Sequence, residues 1–152
     1  MKTSWVRSWA SSPDPAQQRT ALGLILDPSL DIRETQFMLH AGERESSRQI
    51  AQQFVRDHHD EIMKRIPSDG TAQGQAWLAF VLTGPCTADT RDEVVAYVNT
   101  HFAKLQGGGR TVKQAIEGLD QCIARRKVIE PELRAWLGGG RGGSAVKAKA
   151  SP

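Results

Sequence analysis

The densest run of side chains able to move a proton or hold a metal is Asp57-His58-His59-Asp60-Glu61. On a helix, His58 and Glu61 are three apart and share a face. Two donors on one turn make half a site, and a metal needs further ligands from another helix. The periodicity of the chain nominates none, so a solvated polar face is the expectation. A second candidate is Gly107-Gly108-Gly109-Arg110-Thr111, placed ahead of a helix. Free amides there could hold an anion, with Arg110 assisting. No Gly-Lys-Ser/Thr follows, so this is no P-loop, and a plain loop and cap is expected. Arg44 and Arg48 lie one turn apart and could face one cavity. Glu45, Asp60 and Glu61 share their helix, which favours surface ion pairs of small energetic weight. Cys86 and Cys122 are separated by 36 positions and form no Cys-x-x-Cys pair, which excludes a zinc ribbon. Two buried, unreactive free thiols are expected; a disulfide would require an oxidising compartment. Spacing offers no Ser/His/Asp or Cys/His nucleophile. Trp77, Phe80 and Trp136 are expected in the core rather than on a ligand platform.

The elements that would carry these residues are helical. Asp14-Pro15 reads as an N-cap with proline at the first helical position. Leu22, Ile25 and Leu26 follow on one face. Asp27-Pro28 stops that helix and opens a second, with Leu30, Ile32, Phe37 and Met38, ending near Ala41-Gly42. A long helix is expected over about 44–66, its buried stripe marked by Ile50, Phe54, Ile62 and Ile66 and broadened by Ala51, Val55 and Met63. After the turn Pro67-Ser68-Asp69-Gly70, residues 71–82 are apolar on most sides and should be central. Thr87 or Asp89 should cap a helix to about Leu105, with Val94, Val95, Val98, Phe102 and Leu105 inward. Gly107-Gly108-Gly109 ends it. Thr111 then caps a helix to about Arg126, and Pro131 starts a short last one ending at Leu137. No alternating strand pattern competes. The reading is all-α: antiparallel helical hairpins stacked as an irregular HEAT- or armadillo-like superhelical slab without a fixed repeat. Residues 1–12 form an N-terminal helix or frayed start, 13–137 the helical domain, and 138–152 a disordered Gly/Ala/Lys tail.

Composition fits one domain. The chain has 152 residues, 39% of them hydrophobic, enough to bury a core without staples. The net charge of +3 resides in the tail, where Arg141, Lys147 and Lys149 stand without an acid. The neutral body argues against nucleic-acid binding. No apolar run suits a membrane span. No secretory signal is expected, since the basic residues of the N-terminus precede no long apolar stretch. A cytoplasmic location is the expectation.

Several segments in order resemble one known domain. Ala21-Leu22-Gly23 followed by Asp27-Pro28-Ser29-Leu30 resembles a recurring "AL…D..L" hairpin. Ile50 to Ile62, reading IAQQFVRDHHDEI, resembles an "AW.F…N…L" helix. Pro85-Cys86 with Val94 to Phe102 resembles "FC…V..FF". Arg110 to Ile123 with Glu132 to Leu137 resembles "R…Q.LE.I..C…W…L..WL". Together they resemble the distal part of the C-terminal helical, HEAT-like domain of aminopeptidase N-type zinc aminopeptidases, a gluzincin family. Gln52 and His58 stand where that family often has Trp and Asn.

The resemblance implies a non-catalytic module. Enzymes of that family bind zinc through HExxH, two imidazoles on one helix face with the glutamate between them as base, plus a downstream glutamate. They hold the substrate amine with GxMEN. His40, His58, His59 and His101 are the only histidines, none in HExxH, and GxMEN is absent. No cofactor is expected in this chain; zinc belongs to the parent enzyme. The resemblance implies a fragment or split module that walls a substrate chamber, with Arg44, Arg48 and Arg110 as peptide-contacting candidates. The implied partners are a peptide substrate or the catalytic part of an aminopeptidase. Two further hypotheses stand beside it: a free-standing helical adaptor, and a subunit that restores activity to a separate catalytic chain. A truncated superhelix would expose Trp5, Trp9, Leu22 and Ile25 and self-associate.

Overall fold

The computed structural model describes residues 9–68, 75–84 and 86–139. Among them there are seven α-helices and no strand: α1 (Pro15–Gly23), α2 (Ile32–Thr35), α3 (Glu45–Asp57), α4 (His59–Arg65), α5 (Leu78–Leu82), α6 (Arg91–Phe102) and α7 (Gly108–Gly139). The all-α class is as expected. Three 3₁₀ segments, Leu24–Leu26, Gln36–Glu43 and Gln75–Trp77, connect or extend them.

Local chemistry sets the helix starts. Asp14 Oδ1 accepts from the Ala16 amide at 2.8 Å with Pro15 in the first turn, as the sequence predicts. Asp31 caps α2 in the same way at 2.9 Å. The second predicted helix therefore starts later, at Ile32, and continues as 3₁₀ rather than α. Asp27 instead closes the preceding turn by accepting from the amide and hydroxyl of Ser29.

The predicted 44–66 helix is broken at His58, which leaves helical geometry at φ −115°, ψ 21°. Backbone bonds run through the break, from the His58 amide to Phe54 and from the Ile62 amide to His58, so the chain bends without unwinding. The stripe holds across the bend: Ala51, Val55, Ile62 and Ile66 are buried, while Ile50, Phe54 and Met63 pack half-buried against them.

The core is one cluster drawn from every helix, including Leu22, Ile25, Leu39, Leu78, Val98 and Phe102. Each such side chain contributes about 1.5–3 kcal/mol by leaving water. Leu22 and Ile25 are wholly buried, which corrects the expectation that the first hairpin exposes them. Trp9 is at the surface, and Trp5 lies outside the described residues. Phe80 and Trp136 are also exposed, against the expectation that they are core. Phe80 sits on the outer side of α5, and Trp136 lies where α7 has left the body.

Buried amides fasten the layers. Gln18 donates to the Ser47 carbonyl at 2.6 Å, and the Ser47 hydroxyl donates to the Ala41 carbonyl at 2.6 Å. Gln52 donates to the carbonyls of Val81 and Leu82, tying α3 to the end of α5. Gln75 does the same for Met63 and Ile66. Arg65 donates to the carbonyls of Ile25 and Leu30. These bonds satisfy carbonyls that helix ends and turns leave without partners.

Candidate functional site

The α6–α7 turn sets the position of the longest helix. Gly107 has φ +71°, the left-handed region that glycine enters without steric cost. At Gly108 a Cβ would lie 1.9 Å from the Phe102 carbonyl oxygen, so only glycine fits. This pair reverses the chain so tightly that α7 begins at Gly108, inside the run predicted to be a loop. Thr111 does not cap it: its hydroxyl donates back to the Gly107 carbonyl at 3.1 Å. Neither Thr87 nor Asp89 is the N-cap of α6. Thr90 takes that position, with its hydroxyl 2.7 Å from that of Thr87.

Two cross-links fix α7 against the body. Arg91 grips Asp120 with two bonds, Nε to Oδ1 at 2.5 Å and a terminal nitrogen to Oδ2 at 2.9 Å. The guanidinium holds the Asp120 carboxyl below the usual carboxylate range, and the carboxylate raises Arg91 further above its already high value. Two residues on, Cys122 is joined to Cys86 by a disulfide with Cα atoms 5.4 Å apart. The expectation of two free thiols is thus corrected: the loop after α5 carries Cys86 to the same face of α7 that presents Cys122, at a distance a disulfide spans.

Beyond Cys122, α7 runs on to Gly139 in one piece, nearly five further turns. Pro131 lies inside it rather than starting a separate helix. An internal proline removes one backbone bond and costs about 3 kcal/mol. Opposing that loss, Glu130 pairs with Arg126 at 3.0 Å and with Arg134 at 2.5 Å, one turn to either side. Both guanidiniums keep its carboxyl below the usual range.

The overhang and the body enclose a groove of about 560 Å³. Cys86 and Cys122 line it. Ile129, Leu133 and Leu137 form its apolar wall. Glu45 and Arg48 from α3, and Arg125, Arg126, Glu130 and Arg134 from α7, line it as well. Arg48 is held by its Nε–H donating to the Gly42 carbonyl at 2.9 Å, and Gly84 packs directly against it. Of the three arginine candidates, only Arg48 reaches this groove. Arg44 is exposed at the start of α3 and does not line it. Arg110 is exposed in the first turn of α7, twelve residues before Cys122 and so about 18 Å along the helix. The sequence reading missed Arg125, Arg126, Arg134 and the wall. It ended the helix at Arg126, so residues four apart across Pro131 were not placed on one face.

The histidine-rich run has a different role. His58 Nδ1 lies 3.8 Å from a Glu61 carboxylate oxygen, the pair expected on one face. His59 turns inward at the bend, its ring 4.6 Å from that of His101 and 5.5 Å from Phe102, and its Nε2 is buried without a hydrogen bond. Burial and the neighbouring His59 push the His101 imidazole down. Among the described residues no group of three or more His, Cys, Asp or Glu side chains could hold a metal ion. Nor is any helix of the described residues long and apolar enough to cross a membrane.

Among the described residues the fold is an all-α body tied together by side-chain amides and a disulfide, with an open groove beside its last helix. Comparison with protein families places it further: residues 1–121 match the ERAP1-like C-terminal domain, and the chain belongs to that family. This is the C-terminal domain of ERAP1-like aminopeptidases, a non-catalytic part of such enzymes, and it agrees with the resemblance read from the sequence. Residues 122–152, with the groove's apolar wall and the Glu132 to Leu137 segment, lie beyond the matched range. No curated protein and no solved structure matches the chain.

Proposed function

We propose that this chain serves as the non-catalytic C-terminal helical module of a zinc metalloaminopeptidase, a fragment or split module that walls the substrate chamber and contacts peptide. The observation that carries this reading is the family match over residues 1–121. The helical hairpins would stack as a HEAT-like slab, and zinc would come with the catalytic part. Arg48, on the body side of the groove, is the candidate best placed to meet a peptide; Arg44 and Arg110 would act elsewhere on the surface. The experiment is a sizing measurement of this chain mixed with the catalytic part of an aminopeptidase. A 1:1 complex supports the reading, and independent migration at 50 μM of each opposes it.

A second reading, a free-standing helical adaptor, is favoured by one observation: the exposed apolar residues of the overhang, Val128, Ile129, Leu133, Trp136 and Leu137. The cystine also bears on location. A cytoplasmic chain would hold Cys86 and Cys122 reduced, whereas the closed bond suits an oxidising compartment. Trapping thiols at the moment of lysis distinguishes the two.

A further inference from the structure

We infer that the Cys86–Cys122 cystine is a thiol-exchange site: a small thiol entering the groove attacks the Cys86 sulfur, Cys122 leaves as a thiolate, and the segment carrying Cys86 parts from α7. The inference goes beyond the aminopeptidase-module reading and stands independently of it.

Exchange first requires access. Cys86 and Cys122 are both half-buried rather than enclosed, and both line the open groove of about 560 Å³. A cleft of that size admits a thiol between an amino acid and a tripeptide in bulk. Cystines that only stabilise a fold resist exchange, whereas those that solvent reaches are the labile and regulatory ones.

Charge then selects the sulfur that leaves. Arg125 and Arg126 follow Cys122 by three and four positions on α7, so their Cβ atoms lie roughly 5–6 Å from that of Cys122 on one helix surface. Both line the same groove as the cystine. Arg126 is engaged with Glu130 at 3.0 Å, and Arg125 is exposed beside it. A cation next to a sulfur favours its thiolate, and the better stabilised thiolate is the faster leaving group. After Cys86 the chain supplies no cation before Arg91, and Arg91 is turned to Asp120. Arg48 also lines the groove, with its Nε–H committed to the Gly42 carbonyl.

The fold decides which side moves once the bond is cut. Val112, Ala115 and Leu119 are buried, and Arg91 holds Asp120 with two bonds, so α7 keeps its seat without the cystine. Cys86 lies outside any helix, between α5 and α6, and the cystine ties that segment to α7. In the first step the incoming thiolate bonds to Cys86 Sγ, and the electron pair of the S–S bond departs with Cys122. A second thiolate attacks the sulfur of the bound thiol, and Cys86 leaves as a thiolate. Across both steps the cystine gains two electrons, and the two small thiols become one disulfide. The groove thereby registers the thiol balance of its surroundings.

The test uses the full oxidised chain and 2-mercaptoethanol, a neutral monothiol that brings no charge of its own. Exchange is quenched in acid, free thiols are alkylated, and the adduct is mapped by peptide mass. The expected adduct is on Cys86, with Cys122 alkylated, and the rate should not change between 0 and about 1 M urea. Exchange that waits on global unfolding would instead quicken about thirtyfold over that interval, for a urea slope of about 2 kcal/mol per molar. Arg125→Glu should slow exchange about threefold by opposing the leaving charge, and Arg125→Lys should restore it. Arg125 is exposed, so the urea midpoint of the oxidised forms should not move. In the reduced chain, amide hydrogen exchange should quicken over residues 86–90 and not over 108–120. An adduct on Cys122, a rate indifferent to Arg125→Glu, or exchange that rises with urea as unfolding does would overturn the proposal. So would a joint loss of protection over 86–90 and 108–120, which would make the cystine a clamp on the helix.

Discussion

Reducing the Cys86–Cys122 bond should cost a large share of the stability of this chain. The cystine closes a loop of 36 residues, from the end of the α5 segment to the middle of α7. In the chain-entropy account, opening a loop of that length returns about 13 cal/mol/K to the unfolded ensemble, about 4 kcal/mol at 25 °C. With a urea slope of about 2 kcal/mol per molar, the midpoint should fall by about 2 M. The native fold loses as well, because the bond fastens the overhanging helix to the body two residues beyond the Arg91–Asp120 pair. The assay is urea unfolding followed by helical circular dichroism, on the oxidised chain, on the same chain under reductant, and on the Cys86→Ser/Cys122→Ser variant. The reduced and double-serine forms should coincide, both well below the oxidised form. Midpoints within 0.3 M of one another would refute the reasoning. So would two titratable thiols in the air-equilibrated native protein.

Other perturbations test separate joints. Gly108→Ala must move a backbone carbonyl that a Cβ would meet at 1.9 Å; a loss of about 1–3 kcal/mol is expected from thermal unfolding, and an unchanged Tm would show that the turn is looser than described. Gln18→Leu leaves the buried Ser47 carbonyl without its side-chain donor and should cost about 1–3 kcal/mol by denaturant unfolding; a neutral result would mean that water replaces the amide. Stability should also fall with acidification. The folded state disfavours protonated His101, so the unfolded chain takes up the proton first and stability declines as pH drops through about 6.5, the ordinary imidazole value. Asp120, Asp60, Asp27 and Glu130 have depressed carboxyl values, so their contributions are complete above the ordinary range and lost as pH falls below it. Urea midpoints should rank pH 8 above pH 5.5 above pH 3, and a rise from pH 8 to 5.5 would contradict the His59–His101 assignment.

The fold was legible where a single helical period governs burial. Val55, Ile62, Val98 and Phe102 fall on the stripes that spacing alone marks as inward, and all four are buried. What sequence did not reveal depends on contacts between distant segments. The bend at His58 is accompanied by the packing of His59 against α6, a contact 42 residues away in the chain at His101. The role of Gln52 rests on two carbonyls near residue 80 that no local pattern announces. Local signals misled at Pro131, where the stop rule competes with an ion-pair ladder spanning it, and at Gly108, where a glycine read as an end is a beginning. The groove stayed hidden for the same reason: its wall and rim become one surface only if the last helix is continuous.

The most direct test of the central claim, a helical module that serves an aminopeptidase without being one, is a rate measurement. The purified chain, with zinc supplied, is assayed for aminoacyl-amide and peptide hydrolysis alone and after mixing with the catalytic part of an aminopeptidase. No turnover alone, and a changed preference between peptides and small amides in the mixture, is the predicted result. Steady hydrolysis by the isolated chain, or a mixture indistinguishable from the catalytic part by itself, would contradict it.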